Sequence, residues 1–377
     1  MADFDFAALR RRPDIEAGNL FASDAADRLL LDTAAPALEA ALPGQVAIIG
    51  DQYGALTLGA AARHGLRGLR VHQDGLSGEL ALANNAAQAG LADCYRNDQL
   101  DQELLGGARV VLLRLPRSLE ALEEIAWTVA SYADPSVRVF AGGRLKHMNT
   151  AMNDVLGRFF GKVEASLARQ KSRILLAEGP LSAGPNRFPL ASAHDVGLAN
   201  PLQLRAYGAA FAGPKLDVGT RFLLPHLSQA RPATEAIDLG CGTGAIAAYL
   251  ALSRPGLRVL ASDQSQAAVD SAAASVRANG VADRVTVLRD DALSSQPDRS
   301  AELIVVNPPF HVGSTVHAGI ALKLFADAGR VLAPGGELWA VWNSHLGYRP
   351  ALRKLVGPTR QVARNPKFTI TVSTREN

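Results

Sequence analysis

Along almost the whole chain, short apolar runs alternate with segments of helical periodicity, and that alternation leaves few folds open. In the first half the runs are Gln45–Gly50, Gly68–Val71, Arg109–Leu113, Arg138–Ala141 and Lys171–Ala177. Helical stretches lie between them at Leu56–Ala62, Leu80–Ala89, Leu119–Ala130 and Thr150–Phe160. The second half repeats the pattern, with strands expected at Glu235–Asp238, Arg258–Asp263, Arg284–Leu288, Leu303–Val306 and Glu337–Trp342. Helices are expected there over Ile246–Ser253, Gln266–Asn279 and Ile320–Leu332, with a terminal hairpin strand at Thr369–Val372. Apolar runs this short read as strands buried on both faces, and strands taking turns with helices imply parallel, doubly wound α/β sheets.

Between the halves, Gly179, Pro180, Gly184, Pro185, Pro189, Pro201 and Gly208 interrupt the pattern. The expected organisation is therefore a first domain over 1–178, a linker and lead-in segment over 179–211, and a second domain over 212–377. The halves agree in architecture without obvious sequence identity, which reads as a diverged duplication. With 377 residues, 48% hydrophobic and 20% charged, the chain can bury two cores.

A formal charge of +3 leaves no global field, so any contact with a polyanion must come from a local patch. Cys94 and Cys241 are too few for a disulfide framework or a four-cysteine zinc site, and no metal is expected. Met-Ala-Asp-Phe-Asp does not begin a signal peptide, and no apolar run is long enough to span a bilayer. The expectation is a cytoplasmic monomer in a reducing compartment.

Asp238-Leu-Gly-Cys-Gly-Thr-Gly244 stands where a strand hands over to a helix. Glycines there let a ligand approach the backbone and supply left-handed turns. Asp263 ends the next strand, where a carboxylate can accept both ribose hydroxyls of an adenosine. Asp290-Asp291-Ala292 follows the third strand, placed to read an adenine edge. A carboxylate at 238, just before the loop, suits a ligand with a cationic amino or sulfonium group better than a pyrophosphate. That favours S-adenosylmethionine over NAD.

The fourth strand runs into Asn307-Pro308-Pro309-Phe310. A base amino group has its lone pair delocalised into the ring. An Asn oxygen and a backbone carbonyl can accept its two N–H bonds and orient the nitrogen for in-line attack. The two prolines stiffen the turn, and Phe310 offers a face on which a base can stack. His311 is placed to take the proton released after transfer.

The glycine loop with its trailing acidic residues resembles the class I methyltransferases, and Asn-Pro-Pro-Phe resembles the tetrapeptide of their amino-group members. The resemblance implies two tandem Rossmann-like methyltransferase domains, the first degenerate. It implies that Asp238, Gly240, Cys241, Gly242 and Gly244 line the methionine and ribose side, and that Asp263 with Gln264 holds the ribose. Asp290, Asp291 and Ala292 then flank the adenine, with Asn307 shared between cofactor and substrate. Lys215-Leu-Asp-Val-Gly-Thr-Arg-Phe222 and Asn365-Pro-Lys-Phe368 look like segments of the ribosomal RNA guanine-N2 methyltransferases. By that likeness Lys215, Thr220, Arg221 and Lys367 join Phe310 and His311 on the substrate side.

Gly50-Asp-Gln-Tyr-Gly-Ala-Leu56 and Val111-Leu-Leu-Arg-Leu-Pro-Arg117 look like the large-subunit (23S) enzyme rather than the small-subunit (16S) one. The loop at 50–54 lacks alternating glycines and Tyr53 would crowd a ligand, so the first domain is expected to hold RNA, not cofactor. The implied partner is ribosomal RNA or a ribosomal subunit precursor. Phosphate contacts are expected among Arg10–Arg12, Arg114, Arg117, Arg144, Lys146, Arg169, Lys171, Arg173, Arg221 and Lys367. The competing readings are methylation of a protein glutamine or of adenine N6, and a catalytically dead RNA-binding module.

Overall fold

A computed structural model describes residues 4–309 and 318–376. The chain forms two compact units, Met1–Phe188 and Pro189–Asn377. In the first, the strands are β1 (Val46–Ile49), β2 (Leu69–His72), β3 (Tyr95–Asn97), β4 (Val110–Arg114), β5 (Arg138–Arg144), β6 (Phe160–Ala165) and β7 (Ser172–Pro180). They lie in the order β3-β2-β1-β4-β5-β7-β6. The five on the β3 side run parallel; β7 is antiparallel to both β5 and β6.

Side-chain alternation explains why β1 sits centrally. Val46 and Ile48 enter one hydrophobic cluster and Ala47 and Ile49 the other, so both faces of the sheet are covered. The helix Ala25–Glu39 opens the unit, with a capping box formed by Asp24 and Asp27.

The second unit begins with a hairpin, β8 (Leu190–His194) and β9 (Leu202–Ala206). Its sheet holds β10 (Glu235–Leu239), β11 (Arg258–Asp263), β12 (Val285–Arg289), β13 (Ala301–Val306), β14 (Leu332–Asn343), β15 (Thr359–Arg364) and β16 (Phe368–Thr374). The order is β12-β11-β10-β13-β14-β16-β15, which matches the first sheet strand for strand. Leu303 and Val305 face one core, Ile304 and Val306 the other, so β13 delivers its last residues to the carboxyl edge from a position buried on both sides. That edge is where open α/β sheets bind ligands.

The stretch expected as a linker is more ordered than its composition suggests. Residues 179 and 180 still belong to β7, and the hairpin packs on the helix Gln266–Ala278. Ser271, Ser275 and Asn279, spaced by four, accept the backbone N–H groups of Tyr207, Arg205 and Gln203. One face of a helix thereby satisfies an exposed strand edge. Among the described residues no helix is long and apolar enough to cross a membrane.

Candidate active site

The glycine loop is hung from the neighbouring strand. Leu239 pairs with Ser262, and the Ser262 carbonyl accepts from Gly240 N at 2.8 Å and Cys241 N at 3.0 Å. The backbone is left-handed at Gly240, Gly242 and Gly244, with φ of 74°, 52° and 76°. These glycines divide the work. A Cβ on Gly240 or Gly242 would enter open space, whereas one on Gly244 would stand 2.9 Å from Ala272 Cα. The first two leave a cradle open; the third admits the helix Gln266–Ala278 against the loop. Gly244 therefore packs a helix rather than lining the ligand side. Cys241 contributes backbone, its buried thiol pushed well above the ordinary range by desolvation.

Asp263 closes the loop from the side, accepting from Gly242 N and from Ser265 N, each at 3.0 Å. Gln264 is half-buried beside it, its carbonyl accepting from Arg289 Nε. Asp238 lies under the loop. It is fully buried, Oδ2 accepts from Ala247 N at 2.9 Å, and Oδ1 has no partner among the described residues. Burial is the chief reason its carboxyl rises from 3.8 to about 7. An orphaned carboxylate oxygen beneath an open glycine cradle fits a cationic, nucleoside-bearing ligand.

On the adenine side the structure separates two neighbours. Asp290 spends both oxygens on Ser294 and Ser295. Burial raises its carboxyl, but those hydrogen bonds outweigh it and hold it below the usual value. It shapes the turn. Asp291 instead pairs with Lys323 of the helix Ala318–Val331, at 2.5 and 2.6 Å, a partner the sequence reading did not include. Ala292 has φ of 60°, unusual for a residue with a Cβ, and its carbonyl accepts from the buried Ser262 hydroxyl at 3.0 Å.

Asn307 follows β13 directly. Its Nδ2 donates to Asp217 Oδ2 at 2.8 Å and to Thr220 Oγ1 at 3.0 Å. Pro308 is buried and Pro309 exposed. The segments 215–222, 307–309 and 365–368 therefore meet, since a Cβ on Gly219 would stand 3.4 Å from Asn307 Oδ1 and 3.2 Å from Phe368 Cε1. Thr220 is 6% exposed, so it faces Asn307 rather than solvent. Lys215, Arg221 and Lys367 are exposed; Lys367 Nζ sits 5.3 Å from the Phe368 ring centre. Phe310 and His311 lie outside the described residues. No group of three or more His, Cys, Asp or Glu that could hold a metal ion occurs among the described residues.

The first unit carries the same loop in a closed form. Gly50 N donates to His72 O at 2.9 Å, and φ is 77°, 65° and 99° at Gly50, Gln52 and Gly54. Register places Gln73 where the second unit has Asp263. Asp51 points its carboxylate inward to Leu56 N and Thr57 N, at 2.7 and 2.8 Å. Tyr53 is buried, bonded to Asp14 at 2.5 Å, with the Arg11 guanidinium 4.6 Å from its ring centre. Asn85 ties the Arg10 and Tyr53 carbonyls together at 2.8 Å each, so the amino-terminal stretch lies across this loop.

Several basic candidates are committed inside the first unit. Arg114 is held by Asp24 and Asp27, and Arg11 by Asp14, so neither is free for a phosphate. Arg169 and Lys171 do not share a strand face: Gln170 and Lys171 are left-handed, in the turn between β6 and β7. Arg117 and Lys146 remain exposed beside His147, whose ring burial and neighbouring cations hold below its ordinary value.

Comparison with known proteins agrees with this geometry. Residues 2–180 match the RLMG N-terminal domain and residues 201–372 the Methyltransferase small domain. The ribosomal RNA large subunit methyltransferase G of Pseudomonas aeruginosa is 36% identical, covering 96% of both chains. That of Streptomyces coelicolor is 33% identical over 98% of both. This chain belongs to the ribosomal RNA large subunit methyltransferase G family. A solved member of the wider fold, the T. thermophilus 16S rRNA N2 methyltransferase in complex with AdoMet and guanosine, has a TM-score of 0.75 at 21% identity, over 94% of this chain and 92% of that one. The fold is thus two tandem Rossmann-like methyltransferase units, the first with its loop filled in.

Proposed function

We propose that this protein methylates the exocyclic N2 amino group of a guanine in ribosomal RNA, 23S before 16S, using S-adenosylmethionine. The observation that carries the reading is Asn307, which follows β13 next to the glycine loop that follows β10, its amide oxygen without a partner among the described residues. Full-length likeness to relatives named as large-subunit RNA methyltransferases supports it.

Asp263, Gln264, Gly240 and Gly242 would hold the ribose and methionine end, Asp238 would compensate its cation from below, and Asp291 and Ala292 would flank the adenine. Bound there, the cofactor supplies a sulfonium methyl group. Asn307 Oδ1 and the Pro308 carbonyl accept the two N–H bonds of the guanine amino group and turn its nitrogen toward that methyl. On sequence grounds Phe310 stacks the base and His311 takes the proton. A paired guanine hides N2 in the minor groove, so the enzyme takes it unpaired or flipped. Lys215, Arg221 and Lys367 in the second unit, and Arg117 and Lys146 in the first, are placed in exposed positions that suit phosphates.

The test is mass spectrometry of nucleosides from both ribosomal RNAs of cells with and without the protein. Loss of N2-methylguanosine from 23S RNA is expected. Unchanged methylated nucleosides in both RNAs would refute the assignment and direct attention to a protein glutamine or adenine N6.

A further inference from the structure

Among the described residues, Asn307 is gripped from one side only. Both N–H bonds of its amide are placed, on Asp217 Oδ2 and on Thr220 Oγ1, while Oδ1 is buried without a partner among the described residues. This orientation has a physical cause. Asp217 Oδ2 already accepts from Thr220 N at 3.0 Å and, as a carboxylate oxygen, has no hydrogen to give. An overturned amide would set oxygen against oxygen. The approach is close as well: a methyl group on Gly219 would stand 3.0 Å from Asp217 Oδ2 and 3.4 Å from Asn307 Oδ1.

The first unit shows the same grip with different chemistry. Leu113 and Val306 occupy matching register positions against Ile49 and Leu239, so Arg114 stands where Asn307 does. Arg114 is held by Asp24 and Asp27, the N-cap and third residue of the helix Ala25–Glu39. Asp217 and Thr220 are the N-cap and third residue of the helix Val218–Leu223. Two carboxylates grip a cation in the closed unit. In the open one, a carboxylate and a hydroxyl grip a neutral amide whose oxygen has no partner among the described residues.

We propose that Asp217 and Thr220 are positioning residues that fix the flip of the Asn307 amide, keeping its oxygen toward the substrate amino group and short of one hydrogen bond until that amino group arrives. The inference rests on the methyl-transfer reading above. Neither residue touches the base; both act through Asn307. A buried acceptor without a partner favours whatever N–H completes it, which is how a fixed amide distinguishes an amino group from a carbonyl oxygen.

The experiment is methyl transfer from tritiated S-adenosylmethionine to ribosomal RNA prepared from cells lacking the protein, with full-length variants. Thr220→Val keeps the shape and removes the acceptor. It should lower kcat about tenfold, the worth of one hydrogen bond, with the KM for RNA and the Kd for cofactor within about twofold. Thr220→Ser, which keeps the acceptor, should recover most of the rate, whereas Asp217→Asn, which keeps the helix cap but can also donate to an overturned amide, should recover only part of it. Asp217→Ala should fall further than Thr220→Val. On an Asn307→Ala background, Thr220→Val should cost nothing more, because the residue through which it acts is gone. A wild-type rate in Thr220→Val, or an equal loss on the Asn307→Ala background, overturns the proposal. Wild-type enzyme that labels no ribosomal RNA overturns the methyl-transfer reading instead, and this inference with it.

Discussion

Asp238→Asn should change how stability depends on pH. The carboxyl is fully buried under the glycine loop and accepts one hydrogen bond among the described residues, and burial moves it from 3.8 to about 7. Between those values the folded chain keeps a proton that the unfolded chain has lost. Unfolding then releases a proton, so stability falls as pH rises through this range. The rise corresponds to a contribution of about 4 kcal/mol, fully present below about pH 4 and gone above about pH 7. Asparagine keeps an acceptor for Ala247 N and cannot titrate.

Urea denaturation of both proteins at intervals from pH 4.5 to 8.5, roughly spanning the titration, isolates the effect as the difference between the two curves. That difference should move in favour of the variant by up to about 4 kcal/mol and then level off. The variant's amide N–H adds a constant penalty of about 1–3 kcal/mol that does not depend on pH. The same titration governs the ligand: a cationic cofactor is favoured by the ionised form, so wild-type affinity should tighten as pH rises toward 7 and the variant should lack the trend. A flat difference across the range would refute the buried, partly unpartnered carboxylate.

Asn307→Ala should lower kcat by about a hundredfold or more while cofactor Kd, measured by calorimetry, stays within about threefold; parallel loss of both would contradict its assigned role. Asp263→Ala removes the acceptor for Gly242 N and Ser265 N, and should weaken cofactor binding by at least about tenfold before it affects the chemical step. An unchanged Kd would remove Asp263 from the cofactor site. Gly244→Ala combines a φ of 76° with a Cβ 2.9 Å from Ala272 Cα, and should cost about 2–4 kcal/mol by thermal denaturation. A change below about 0.5 kcal/mol would show that the helix can yield there.

The central strands were legible because burial on both faces leaves a continuous apolar run, as in Val46–Ile49 and Ala301–Val306. Outside the hairpin of β8 and β9, the strands with the weakest sequence pattern lie at the edges of the two seven-stranded sheets. Tyr95–Asn97 has three residues, Phe160–Ala165 shares only its first residue with the helix expected over Thr150–Phe160 and is mostly exposed, and Thr359–Arg364 carries exposed polar residues. An edge strand need satisfy only half of the usual burial, so its pattern fades. The loop glycines and Asn307 were readable from spacing. What escaped was the identity of partners: Ser294 and Ser295 for Asp290, Lys323 for Asp291, Asp217 for Asn307. Ser294 and Ser295 lie only four and five residues from Asp290, in a turn without helical or strand periodicity. Lys323 and Asp217 come from segments 32 and 90 residues away, set by register and helix packing that no local pattern encodes.

The loop at 50–54 bends as its counterpart does, with Gln52 held in a left-handed turn that glycine would take more easily. Its closure comes from side chains and from the amino-terminal stretch: Asp51 from within, Tyr53 and the segment bearing Arg11 and Asp14 from above. Shape and occupancy are therefore uncoupled in this molecule. A calorimetric titration should count one nucleoside per chain although two loops share one backbone course, and an inhibitor shaped to the open cradle would find no second seat on the same polypeptide.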